Sequence, residues 1–183
     1  PSGIARLGLI RTFQSARVFP GMTVLENVMT GAHRGLALGP ASTALWLPRA
    51  RREEAALRRR ARHMLALVGL ADCAGMAATD LPMGSQKQLE VIRALMAEPR
   101  LLLLDEPAAG LNDTETQELA TLLCAVRDLG ITLVVIDHNM PLVMRIADQI
   151  VVLDAGAVIA RGDPASVRRD PEVIRVYTGL EAA

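Results

Sequence analysis

Lysine is nearly absent from this chain. Lys87 is the only one, and arginine supplies almost all the rest of the positive charge. Twenty acids balance twenty Lys and Arg residues, so the formal net charge is zero. Without a basic excess there is no broad electrostatic footprint for nucleic acid. Cysteine is scarce too: Cys73 and Cys124 lie far apart and match no metal-ligand spacing. Two lone thiols fit small core residues in a reducing compartment. No apolar run approaches membrane-spanning length. The opening PSGIARLGLI has no cleavable secretory pattern, and it does not start with methionine, from which a fragment of a longer polypeptide is expected.

What is present describes a folded domain. Hydrophobic residues make up 51% of the 183 and charged residues 22%, too apolar for a disordered chain. The length suits one domain with a proper core.

The local pattern alternates. GLIRTFQ (8–14) is a short apolar segment. Thr23 and Glu26 have capping-box spacing, which predicts a helix from Val24. Residues 31–48 are rich in Gly, Pro and Ala and read as loop or broken helix. From Pro48 to Val68, Leu57, Ala61, Met64, Leu65 and Val68 recur at helical spacing, and Gly69 is a stop. The arginines between them read first as a solvated face, with partner docking as the alternative. Residues 80–99 read as a turn and a helix capped at Ser85–Gln88 spacing, with Leu89, Ile92 and Ala94 to Met96 buried and Pro99 ending it.

LLLLDEP then predicts a strand buried on both faces, as in a parallel sheet. Asn112 caps a helix striped by Leu119, Leu122, Leu123 and Val126 and closed at Gly130. ITLVVI (131–136) is a second buried strand ending at Asp137-His138. A helix near 141–147 follows, with Pro141 in its first turn. QIVVLDAGAVIARG (149–162) reads as a hairpin around Ala-Gly, and Asp163-Pro164 and Asp170-Pro171 open two short helices. Strand–helix alternation predicts an α/β fold with a parallel sheet, whose ligands sit at the carboxyl ends of the strands. Asp105, Glu106, Asp137 and His138 fall at that end. An Asp there can hold magnesium, and the next acid can face an attacking water. A bare DEP is more often a capping or solvated turn.

The ordered set of motifs decides between these. RTFQ, LPMGSQ (81–86), LLLLDE, AAGLN and His138 after VVID together resemble the Q-loop, signature, Walker B, D-loop and switch histidine of an ABC-type ATPase domain. The likeness extends over essentially the whole chain. GIARLGLIRTFQSARVFPGMTVLENVMTGAH, DEPAAGLN, DHNMPLVM and DPEVIRVYTGL narrow it to the ATPase subunits of branched-chain amino acid importers. Subunits serving urea, amide or lipopolysaccharide transport share parts of the pattern.

The resemblance implies a P-loop NTPase-like sheet with flanking helices and a helical subdomain over roughly 20–90, the remaining core spanning 91–183. It implies ATP and Mg2+ as cofactors, a head-to-tail dimer with a second ATPase subunit, membrane permease partners, an indirect link to a substrate-binding protein, and a place on the cytoplasmic face of the membrane. Asp105 would coordinate magnesium. Glu106 would polarise the water, His138 would contact the γ-phosphate, and Gln14 would reach metal and water. Gly84, with Ser85 and Gln86, would face the partner's ATP. Pro82 stands where the usual signature has serine, and a proline offers neither hydroxyl nor N–H. Asn112 takes the D-loop acid position without the charge.

One family element has no counterpart. No GxxxxGK[ST] phosphate loop occurs in the 183 residues, since Lys87 lies inside the signature segment. The expectation is truncation before the Q-loop, and a polypeptide that is inactive by itself. A non-catalytic module that completes a partner's ATP site is the reading from a different class. A soluble ABC protein of translation or DNA repair is a weaker one.

Overall fold

The computed structural model describes residues 7–11, 18–32 and 48–178. They fall into two compact units divided between Asp137 and His138.

The first unit holds a parallel sheet in the order β1 (Leu9–Arg11), β2 (Leu101–Asp105), β3 (Thr132–Ile136). β2 is central: Leu103 pairs with Arg11 on one side and Val134 on the other. The expectation that this strand is buried on both faces holds only for one. Leu102 and Leu104 are fully buried, while Leu101, Leu103 and Asp105 are half-buried. In β3, Val134 and Ile136 stand exposed. An all-apolar run favours burial on both faces but does not supply the layer that covers each one.

Helices α1 (Val24–Thr30), α2 (Pro48–Leu67) and α3 (Met83–Leu95) form their own core. α1 opens on a complete capping box: the Thr23 hydroxyl accepts from the Glu26 amide and the Glu26 carboxylate accepts from the Thr23 amide. Those bonds from the Thr23 amide and hydroxyl hold the Glu26 carboxyl below its usual range. The next orphan donors of the helix, Val24 and Leu25, find the carbonyls of Met76 and Ala74. Val24, Val28, Ala61, Leu65, Leu89 and Ile92 fill the interior between the three helices. The arginine face of α2 is largely solvated as expected, with Arg58 paired to Glu54 one turn away. Arg60 is the exception, reaching Glu98 and the Leu95 carbonyl at the end of α3.

Two expected boundaries move. α3 starts at Met83 with Pro82 as its N-cap and no side-chain cap, so Ser85 lies inside the first turn rather than capping it. Proline's fixed φ suits a helix start and makes a separate serine cap unnecessary. At the other end α3 stops at Leu95, four residues before Pro99, where Glu98 takes a left-handed φ of 51°. Residues 33–47, expected as loop or broken helix, lie outside the described residues.

α4 (Asp113–Asp128) follows β2, capped by Asn112, with Leu119, Leu123 and Val126 buried and Leu122 partly so. Gln88 of α3 reaches Glu118 of α4 at 3.3 Å.

The second unit contains α5 (Met140–Ile146), the antiparallel hairpin β4 (Ile150–Asp154) and β5 (Ala157–Gly162), α6 (Pro164–Val167) and α7 (Pro171–Thr178). The hairpin turns at Ala155 and Gly156, both with left-handed φ, as a two-residue connection of this type requires. Ile150, Ala160, Val167 and Val173 form its small core. Asn139, Asp163 and Asp170 cap the three helices.

Candidate functional site: the acids at the end of the central strand

β2 delivers Asp105 as its last residue and Glu106 as the first beyond it. The chain leaves the strand through a left-handed backbone at Glu106, φ 48°. A glutamate in that region stores strain of about 1–3 kcal/mol, which the surroundings must offset. They grip the residue from both sides. Its amide donates to the Ile136 carbonyl at 2.7 Å, extending the β2–β3 ladder by one bond. Its carbonyl accepts from the Lys87 ammonium at 3.4 Å.

Lys87, the single lysine, is thus buried and ties the signature helix to the residue after the strand. In the sequence it stands out only as a lysine outside any phosphate loop. Its spacing carries no hint of this contact, because α3 and the end of β2 meet only in the fold.

Asp105 is itself paired. Its Oδ2 accepts from the Arg11 guanidinium at 2.9 Å, with the carboxylate mostly buried and the arginine mostly exposed. β1 sits beside β2 in register, so the residue three before Gln14 lies next to the strand that carries the acid. Nothing in the sequence singles out Arg11, and only strand register would have found it. Asp137, at the end of β3, reaches the same loop: its Oδ2 accepts from the Ala108 amide at 2.9 Å, just past Pro107. Asp105, Glu106 and Asp137 therefore gather at the carboxyl edge of adjacent parallel strands, the place where such sheets bind ligands.

The signature residues lie at the start of α3. Gly84 is buried, and its amide donates to Glu115 Oε1 at 3.1 Å. The other oxygen of Glu115 accepts from the Asn112 amide at 3.0 Å, while Asn112 Oδ1 accepts from the Glu115 amide at 3.0 Å. Gln86 turns back on its own loop, donating to the Leu81 carbonyl at 2.8 Å. Ser85 sits half-buried one residue from Gly84. Asn112 caps α4, which accounts for its side-chain oxygen. Sequence reasoning missed Glu115, although Asn112 and Glu115 have capping-box spacing.

His138 opens the second unit. It is exposed, and its carbonyl accepts from the Tyr177 hydroxyl. Gln14 lies outside the described residues.

Among the described residues no cluster of three or more His, Cys, Asp and Glu could hold a metal alone. Magnesium, a hard ion, needs only one or two protein carboxylates and completes its shell with water and phosphate oxygens. Among the described residues no helix is long and apolar enough to cross a membrane.

Adjacent acids at the end of a central parallel strand, with a neighbouring helix tied to the turn that follows them, form an arrangement suited to ligand binding at the carboxyl edge of an α/β sheet. The sequence profile described as "ABC transporter" matches residues 4–109, and that of the "Branched-chain amino acid ATP-binding cassette transporter" matches residues 157–183. The chain belongs to the ABC transporter ATP-binding family, and its fold is that of the P-loop NTPase-like ABC cassette. It is 42% identical over 177 residues to the high-affinity branched-chain amino acid transport ATP-binding protein LivG of Escherichia coli K12, covering 96% of this chain and 69% of LivG. BraF of Pseudomonas aeruginosa, which bears the same description, matches at the same identity and coverage. Among solved structures, MJ1267, an ATP-binding cassette of an ABC transporter, superposes with a TM-score of 0.78 at 28% identity, over 97% of this chain and 71% of that one. Its ADP conformation gives 0.76 at 27% identity, over 98% and 72%.

Proposed function

We propose that this chain is the ATP-hydrolysing subunit, or a portion of it, of a transporter that takes up branched-chain amino acids. The observation that carries the ATPase assignment is the placement of Asp105 and Glu106 at the edge of the central strand, with Asp137 bonded to the loop beyond them. The cargo rests on likeness to LivG and BraF and on the match over residues 157–183.

Asp105 is the residue to hold magnesium, with Gln14 as a further contributor. The ion would offset phosphate charge. By the family resemblance Glu106 would take a proton from the attacking water, and His138 would contact the γ-phosphate. Gly84, Ser85, Gln86 and Asn112 face the nucleotide of a second subunit. That subunit is a copy of this chain or a related one, packed head to tail. The pair docks on membrane permeases from the cytoplasmic side and is served by a substrate-binding protein outside. Nucleic acid is not a partner in this reading.

Two measurements test it. The native transporter complex in proteoliposomes should accumulate leucine with ATP, with isoleucine and valine competing and urea and acetamide not competing. Uptake of urea or an amide instead would overturn the cargo. The 183-residue polypeptide alone contains no phosphate loop to hold the β- and γ-phosphates. Calorimetry with MgATP should therefore give weak or no binding, and a coupled assay no turnover. Tight binding by that polypeptide would overturn the assignment of the phosphates to such a loop.

A further inference from the structure

The two glutamate oxygens that meet Gly84 and Asn112 connect the signature turn to the D-loop turn within one subunit. The contact is close. A Cβ built on Gly84 would lie 2.7 Å from Glu115 Cγ and 2.8 Å from its Oε1. Glu115 therefore occupies the space that the glycine leaves open, and it takes the Gly84 amide in the first turn of α3. Pro82 and Met83 stand exposed beside it. One N–H makes one strong bond, so a phosphate oxygen and Glu115 cannot both take the Gly84 amide at full strength. Both are anions, and at this distance in a partly buried site they also repel.

We propose that Glu115 is a positioning residue: its carboxylate holds the Gly84 amide and the D-loop in one arrangement, and the partner's nucleotide must displace it to engage the signature. This rests on the reading of Gly84 as a contact to the partner's ATP. The other oxygen of the same carboxylate holds the Asn112 amide. A nucleotide that pushes the whole carboxylate away from Gly84 therefore reaches the D-loop through one side chain, whereas loss of the Gly84 bond alone leaves the Asn112 turn capped. The device needs no movement of α3 or α4 as a whole.

Glu115→Gln separates the two bonds. Glutamine at the third helical position still supports a capping box, so its oxygen keeps the Asn112 amide. Its –NH2 offers Gly84 no acceptor, and the negative charge is gone. Two experiments on the native complex follow. Without nucleotide, hydrogen exchange at the Gly84 amide should speed up about 10-fold in Glu115→Gln while Asn112 stays within about 2-fold. With nucleotide, the ATP concentration for half-maximal subunit association, read by energy transfer between labelled subunits, should fall about 5-fold. A residue with only a structural role would leave that concentration unchanged or raise it, and either result overturns the proposal. If ATP drives no association in the unaltered complex, the reading of Gly84 as a nucleotide contact falls, and the proposal with it. The nucleotide-free exchange measurement keeps the two failures distinguishable, because it reports the Glu115–Gly84 bond whatever the ATP does.

Discussion

Gly31→Ala is expected to destabilise the subunit by about 3 kcal/mol or more, an unusually large cost for adding one methyl group. Gly31 follows α1 in a right-handed conformation, so it is not there for a left-handed turn. The reason is space. A Cβ at this position would run into the Arg93 carbonyl in α3 and lie 3.0 Å from Met96 Cβ. The carbonyl cannot step aside cheaply, because it accepts the Met96 amide that closes α3. Nor can Gly31 move freely, since its own amide is bonded to Val28. The methyl would have to push the backbones of α1 and α3 apart at the core that Val28, Ile92 and Met96 share. Thermal unfolding of the purified subunit should show Tm lowered by roughly 6–12 °C, or the variant should fail to fold. Gly75→Ala is the control: nothing lies within 4 Å of a Cβ there and its φ is ordinary, so stability should change by less than about 0.5 kcal/mol. Equal, small effects at both glycines would remove the argument from close helix approach.

The same glycine marks where sequence reading stops. The non-helical stretch expected from residue 31 does begin at Gly31, the C-cap of α1. That the glycine is needed for α3, far along the chain, depends on a crossing that no local pattern encodes. The elements that were legible are those with local causes. Thr23 and Glu26 gave the start of α1, and Asn112 the start of α4. The apolar runs LLLLD and TLVVI gave two parallel strands, and Ala155-Gly156 the hairpin. Ser85 failed as a cap because proline at position 82 already begins the helix.

The candidate site divides in the same way. Asp105 and Glu106 were legible because an apolar strand runs straight into them and the motifs around them stand in the order of an ABC ATPase; a bare DEP would have read as an ordinary turn. Their neighbours were not. Arg11 reaches Asp105 only because β1 pairs in register with β2. Lys87 reaches Glu106 only because the first turns of α3 lie beside the end of the strand. Glu115 could have been read as the partner of Asn112, but not as the group that takes the Gly84 amide. Long-range contacts fix what these groups do, and spacing alone records only the helical ones.

The second large effect is expected at Glu106. In the native complex, Glu106→Gln should lower ATP turnover by about 10²–10⁴-fold, the usual range for a lost general base. The KM for ATP should stay within about 2-fold, because the change removes a group that acts in the transition state rather than one that binds substrate. The backbone at this position makes the substitution a clean test. Glu106 has a left-handed φ and is held by the Ile136 carbonyl and the Lys87 ammonium through its main-chain atoms. Glutamine keeps those bonds and the side-chain shape, and removes only the basic oxygen. In the proposed mechanism the left-handed turn also has a chemical purpose. In a continuing strand, neighbours alternate between opposite faces. Breaking that alternation at Glu106 would let two consecutive carboxylates serve one site, in the proposed roles of Asp105 for the ion and Glu106 for the water. Asp105→Asn should therefore differ in kind: it should weaken the dependence on Mg2+ concentration, while Glu106→Gln should leave that dependence in place. If Glu106→Gln instead kept turnover within about 10-fold of the unaltered complex, the proton would have to go elsewhere, and His138 would be the next residue to change.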